Sequence, residues 1–154
     1  MIPEIGLSET ERSQALQRLH PLLADELVLV QKLRDAHWNV TGLHFHALHG
    51  LFEEEYTALA TVIDDIAERI RQLGGRPDAS LGSALSLKRL QEFPNAGRNA
   101  EEYLRTLLAD LETLVRQLRC DIPAVADSGT QDFLTGLIQQ HEKSAWKLRA
   151  SLTA

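Results

Sequence analysis

A single cysteine, Cys120, rules out an intrachain disulfide, and Arg119 and Asp121 beside it suit a structural thiol better than a nucleophile. That scarcity fits a reducing cytoplasm. Basic charge is also short: 16 Lys and Arg face 22 Asp and Glu, a formal charge of −6. This disfavours nonspecific attraction to nucleic acid or anionic lipid and suits a protein that gathers cations. No run approaches 18 uncharged apolar residues, so no membrane span is expected, and residues 1–7 lack the basic start and apolar run of a secretory leader. Glycine-rich phosphate loops, His-Glu-x-x-His and Gly-x-Ser-x-Gly are missing too, which excludes the nucleotide-binding and hydrolytic chemistries they carry.

What remains is helical. With 154 residues, 44% hydrophobic and 25% charged, the chain reads as one domain over 1–154, residues 1–8 forming a short tail. Ser8 with Glu11 is a capping-box pattern opening a first helix that carries Leu16, Leu19, Leu23, Val30, Leu33 and His37 and ends at Thr41 and Gly42. Pro21 is expected to bend it or split off its first turns. A second helix spans about 45–73 and stops at Gly74 and Gly75. Residues 77–94 carry Leu81, Leu85, Leu87 and Leu90 among breakers, a short helix in a long crossover. Asn99 with Glu102 caps the third long helix, which Pro123 limits; Thr130 is expected to cap the fourth, with Phe133, Leu134, Leu137, Ile138, His141, Ala145 and Leu148 inward. The fold class is therefore all-α: four long helices and a short extra one between the second and third.

The second helix holds a charged stripe apart from its core stripe. Taking His49 as zero at about 100° per residue, Glu53, Asp64 and Glu68 fall near roughly 40°, 60° and 100°, whereas Phe52, Tyr56, Leu59, Ile63, Ile66, Ile70 and Leu73 cluster near roughly 290°. The pairs His49/Glu53 and Asp64/Glu68 are about 15 residues, hence roughly 22 Å, apart along the axis, too far to share an ion within one chain. A second helix crossing antiparallel about a two-fold axis near residue 58 or 59 would bring each pair to the other, past the small Thr57 and Ala60. His37 can complete the shell. Two imidazoles and three carboxylates suit ferrous iron, with zinc or manganese also accommodated. The alternative core-facing di-metal bundle needs Glu-x-x-His, which the chain does not contain.

Plainer readings stand beside this one. Charges spaced i,i+4 are commonly a solvated face. His44 and His46 suit a solvated turn, and His141 a hydrogen-bonded structural histidine. Trp38, next to His37, is equally a packing residue or an electron donor to a reactive oxygen species, while Trp146 reads as packing.

The run His37-Trp38-Asn39-Val40-Thr41-Gly42, with Phe45, His49, Phe52, Tyr56, Asp64 and Ala67-Glu68-Arg69, closely resembles the Dps family (DNA-binding proteins from starved cells) of the ferritin superfamily, from about residue 10 onward. The resemblance implies a four-helix bundle assembling from two-fold dimers into a hollow dodecamer with ferroxidase centres at the dimer interfaces. His37, His49 and Glu53 would come from one chain, Asp64 and Glu68 from its neighbour; several members have aspartate where Glu53 stands. The implied chemistry is oxidation of ferrous iron, by hydrogen peroxide in preference to dioxygen, and storage of ferric oxide, a protection against oxidative stress. It also implies acidic three-fold pores near the start of the fourth long helix, for which Asp127, Asp132 and Asp121 are candidates. Nucleoid association and DNA compaction are the family's other role, often through a lysine-rich tail. Residues 1–12 depart from that pattern, offering only Arg12 against Glu4, Glu9 and Glu11, and twelve chains at −6 each carry −72. Weak or absent DNA binding is expected.

Overall fold

The computed structural model describes residues 3–93 and 97–152; Met1 and Ile2 of the expected tail, Pro94 of the expected crossover, and the last two residues lie outside them. The described residues form α1 (Glu9–Asn39), α2 (Phe45–Gln72), the short α3 (Leu81–Leu87), α4 (Ala100–Asp121) and α5 (Ser128–Leu152), with a 3₁₀ turn at Ile122–Ala124. No strand occurs among them. The four long helices and the short crossover helix stand as the sequence pattern indicated.

Local chemistry sets the ends. Ser8 Oγ accepts from the Glu11 N–H (3.2 Å) while the Glu11 carboxylate accepts from the Ser8 N–H (2.7 Å), and Asn99 with Glu102 repeats the exchange at 2.9 Å each way. Two otherwise orphaned N–H groups are satisfied at each start. At the far end of α2, Gly74 adopts φ +83° and the Gly75 N–H reaches back to the Ile70 carbonyl (2.9 Å), a closure that favours glycine.

Two expectations need correction. Pro21 does not split α1, which runs unbroken for 31 residues; what proline removes is one N–H donor, and the packed helix tolerates that loss. Nor is Thr130 the cap of the last helix. α5 begins at Ser128, and the Asp127 carboxylate accepts from the Thr130 N–H (3.1 Å) and hydroxyl (2.6 Å), leaving Thr130 wholly buried within the first turn.

α1 packs along α2 and α4 along α5, with α1 also touching α3 and α4, while α2 and α5 meet only lightly. The short links at 40–44 and 122–127 make each close pair antiparallel; the long crossover carries the chain from one pair to the other. Phe52, Leu59, Ile66 and Ile70 of α2, with Leu73 just beyond its end, meet Leu19, Leu22, Leu29 and Leu33 of α1 and Leu107, Leu114, Leu118, Leu134 and Leu148 of the other pair in one core. Tyr56 and Ile63 border it, half-buried.

Charges also lie inside, each with a partner. Asp25, with no exposed surface, accepts from the backbone N–H groups of Arg89 (2.5 Å) and Leu90 (3.0 Å) and from the Arg89 guanidinium (2.6 Å). Lys32 donates to the Gln91 carbonyl (2.7 Å), ion-pairs with Asp110 of α4 (2.5 Å) and lies over the Phe93 ring. Glu26 meets His141 of α5 at 2.8 Å, and Lys147 donates to Glu54 and Glu55 of α2. These contacts fasten α1 to the crossover and to α5, and α2 to α5.

Candidate metal centre

His37 lies in the last turn of α1 and His49 in the second turn of α2, and the tight link between them, with Gly42 at φ +106°, brings the two imidazoles face to face. Their ring centroids are 3.7 Å apart with planes 19° from parallel. His37 Nδ1 sits 2.8 Å from the His49 carbonyl oxygen, and His49 Nδ1 sits 2.8 Å from the His37 carbonyl oxygen. A ring nitrogen beside a carbonyl must donate, so both rings are held with hydrogen on Nδ1, and in the neutral imidazole Nε2 keeps its lone pair. Orienting a histidine through its second nitrogen in this way is how proteins prepare a metal ligand.

Aromatic rings complete the setting. Phe45 stacks on His49 at 5.0 Å and Tyr56 meets His37 edge-on at 5.3 Å. His37 is buried and His49 half-buried, so this wall fixes their orientation.

Glu53, Asp64 and Glu68 extend the line along α2, all exposed. None of the three has an ion-pair partner among the described residues, although other carboxylates of the same helix do: Glu54 and Glu55 share Lys147. Among the described residues of one chain, no group of three or more His, Cys, Asp or Glu is close enough to hold a metal ion. His49 and the Asp64/Glu68 pair remain separated along α2.

The remaining candidates divide. Trp38 is 69% exposed, and Trp146, expected to pack, is 61% exposed. His44 and His46 are exposed at the start of α2, His44 standing at its N-cap without a side-chain bond. Asp121 is buried and paired with Arg89 (3.2 Å) and Arg18 (3.8 Å). Asp127 is buried and pairs with Arg69. Burial pushes the Asp127 carboxyl up, but Thr130, Arg69 and the Gly129 N–H outweigh it and hold it below the usual carboxylate range. Both aspartates therefore serve as internal anchors in the chain, while Asp132 is exposed. His141 is the structural histidine its core position indicated: burial pushes its pKa down, but the charge and hydrogen bond of Glu26, with Glu55 nearby, raise it. A crevice of about 230 Å³ between α2 and α5 is lined by Glu55, His141 and Lys147 and contains none of His37, His49, Glu53, Asp64 and Glu68.

Two antiparallel helix pairs, a crossover helix and a donor-rich flank on the second long helix define a ferritin-like protein. A model of the ferritin-like domain matches residues 16–154. DNA protection during starvation protein 2 of Bacillus anthracis is 39% identical over 142 residues, 90% of this chain and 97% of that protein. An uncharacterized low temperature-induced protein of a Nostoc species is 41% identical over 150 residues, 95% of this chain and 84% of that one. The Dps protein of Vibrio cholerae, a member of a broad superfamily of ferritin-like diiron-carboxylate proteins, superposes with a TM-score of 0.91 at 32% identity, covering 99% of this chain and 97% of that one. The chain belongs to the Dps family of the ferritin superfamily.

Proposed function

We propose that the chain is a mini-ferritin ferroxidase: it oxidises ferrous iron at sites shared between subunits and stores the ferric product inside a hollow dodecamer built from two-fold dimers. The observation that carries this reading is that His37 of α1 and His49 of α2 are locked face to face with Nε2 free, while Glu53, Asp64 and Glu68 lie further along α2 without ion-pair partners among the described residues. Each subunit supplies His37, His49 and Glu53; Asp64 and Glu68 of the partner subunit complete the shell. The pairs are too far apart to do so within one chain, and an antiparallel two-fold crossing near residue 58 or 59 juxtaposes them.

The substrate is iron itself. The carboxylates attract the dication and then hold the more highly charged product, and the imidazoles add borderline donors; zinc or manganese would compete for the same shell. Hydrogen peroxide is the preferred oxidant over dioxygen. Two ferrous ions give one electron each, the peroxide O–O bond breaks, and two waters form with uptake of two protons, so no hydroxyl radical is released. Trp38, next to His37 in the chain and 69% exposed, is an electron donor available to an escaping oxidising equivalent, as is Tyr56 in contact with His37. Among the described residues no helix is long and apolar enough to cross a membrane, and the cytoplasm is the expected site of action.

Iron reaches the interior through acidic three-fold pores at which Asp132 is the exposed acid; Asp121 and Asp127 would have to act from their arginine pairs. DNA binding is weak or absent. Three of the four arginines of α4 and α5 are paired with acids, Arg105 with Glu101, Arg119 with Glu142 and Arg149 with Glu112, while Arg116 donates to Thr113, and the formal charge is −6 per chain.

The test is anaerobic ferrous loading followed by peroxide, with ferric absorbance as the signal, on material sized by exclusion chromatography. An assembly of twelve 17.2 kDa chains that oxidises iron rapidly, and loses this in His49→Ala and Asp64→Asn alike, is the expected result. A monomer, or variants as active as the parent, would refute it. Retarded plasmid migration at about 0.15 M salt without divalent metal would favour the DNA-compacting reading instead.

A further inference from the structure

Arg34 lies one turn before His37 on α1, half-buried, with its guanidinium carbon 5.6 Å from the centroid of Tyr56. The edge of that ring contact is His37 itself, at 5.3 Å, so the cation stands no further from His37 than these two steps together. Among the described residues Arg34 has no carboxylate partner, although Arg18, Arg69, Arg89, Arg105, Arg119 and Arg149 all do. A half-buried guanidinium ordinarily pairs with an acid or stacks on an aromatic face. Here it lies over Tyr56, the ring that also touches His37.

Resting on the proposed site, we propose that Arg34, held on Tyr56, is the resident counter-charge of that site and sets how tightly it holds a divalent cation. While the site is empty, the guanidinium offsets mutual repulsion among Glu53, Asp64 and Glu68. Once a dication is bound, the same charge repels it through partly screened protein. The consequence is a site that fills when ferrous iron is abundant and releases its product to the interior rather than trapping it. Tyr56 provides the platform through its ring face, a role phenylalanine shares.

Cobalt(II) titration of the assembled protein, followed by calorimetry and d–d absorbance, separates the possibilities without relying on turnover. Arg34→Gln, and Arg34→Met with its retained aliphatic stem, are expected to tighten cobalt binding about tenfold, from a dication and a unit charge several ångströms apart in a partly screened medium. Arg34→Lys and Tyr56→Phe should stay near the parent value. His49→Ala should abolish the signal. Affinities of both neutral variants within twofold of the parent, or weaker, overturn the role of Arg34 while leaving the site standing. Failure of the parent to bind cobalt, or unchanged binding in His49→Ala, removes the site and this role with it.

Discussion

Two sets of charges on the same helices are treated in opposite ways. Asp25, Glu26 and Lys32 of α1 and Glu55 of α2 point inward and are buried, and each meets a partner from a distant part of the chain: Arg89, His141, Asp110 and Lys147 respectively. Glu53, Asp64 and Glu68 of α2 are exposed and meet none among the described residues. An ionised group can be buried only when compensated, so the first set is explained by the fold. The second set is not, since the fold gains nothing from it. Charged residues that a chain leaves unpaired beside two pre-oriented histidines are intelligible as provision for something the single chain does not contain, a second subunit and a cation.

The comparison breaks most sharply at Asp25. Asp25→Ala would leave the Leu90 and Arg89 N–H groups and part of the Arg89 guanidinium without an acceptor, a loss of about 3–5 kcal/mol. Urea unfolding should show it as a large fall in midpoint, with ferrous oxidation retained wherever the variant stays assembled. A fall below about 1 kcal/mol would mean that the inner charges are not holding the crossover to α1.

A smaller effect belongs to Glu26 and His141. His141 has its pKa raised in the folded protein, so the stability it contributes is fully present below the unfolded histidine value of about 6.5 and fades as pH rises through the higher folded value. Unfolding midpoints measured at increasing pH above about 6.5 should decline. Glu26→Gln, which removes the charge that raises the pKa, should flatten that decline, whereas Asp64→Asn should leave it untouched. An identical decline in the parent and Glu26→Gln would assign the pH dependence elsewhere.

How much of this was written in the sequence follows from the range of each interaction. The capping boxes at Ser8 and Asn99 and the glycine closure after α2 depend on residues three or four apart, and so they were legible, as was the offset of the stripe from the core, which periodicity alone reveals. The partners of Asp25 and Glu26 lie 64 and 115 residues away. Only the intrusion of two acids into the apolar run Leu22–Leu23–Ala24…Leu27–Val28 hinted at them. The reciprocal histidine bonds were invisible because they depend on the turn at Gly42 and on ring orientation. Asp127 was ambiguous because an acid at a helix start serves a pore and a cap with the same letter, and its contacts with Arg69 and Thr130 become visible only in the folded chain.

The finest discrimination comes from the smallest expected change. Asp64 and Glu68 are like charges at i,i+4 on an exposed helix face, an arrangement that destabilises a helix by about 0.2–0.5 kcal/mol. With chelator present, Asp64→Asn should therefore unfold at the same temperature as the parent or slightly above it, while losing cation binding. This is the reverse of Asp25→Ala, which should lose stability and keep the site. Thermal unfolding with and without a divalent cation completes the test, because a bound ligand stabilises the folded state only where the site is intact. The parent should gain stability on adding cation and Asp64→Asn should not. A stability loss above about 1 kcal/mol in the chelated variant would place Asp64 among the residues that build the fold, and the division between inner and outer charges would fail at the position chosen to represent it.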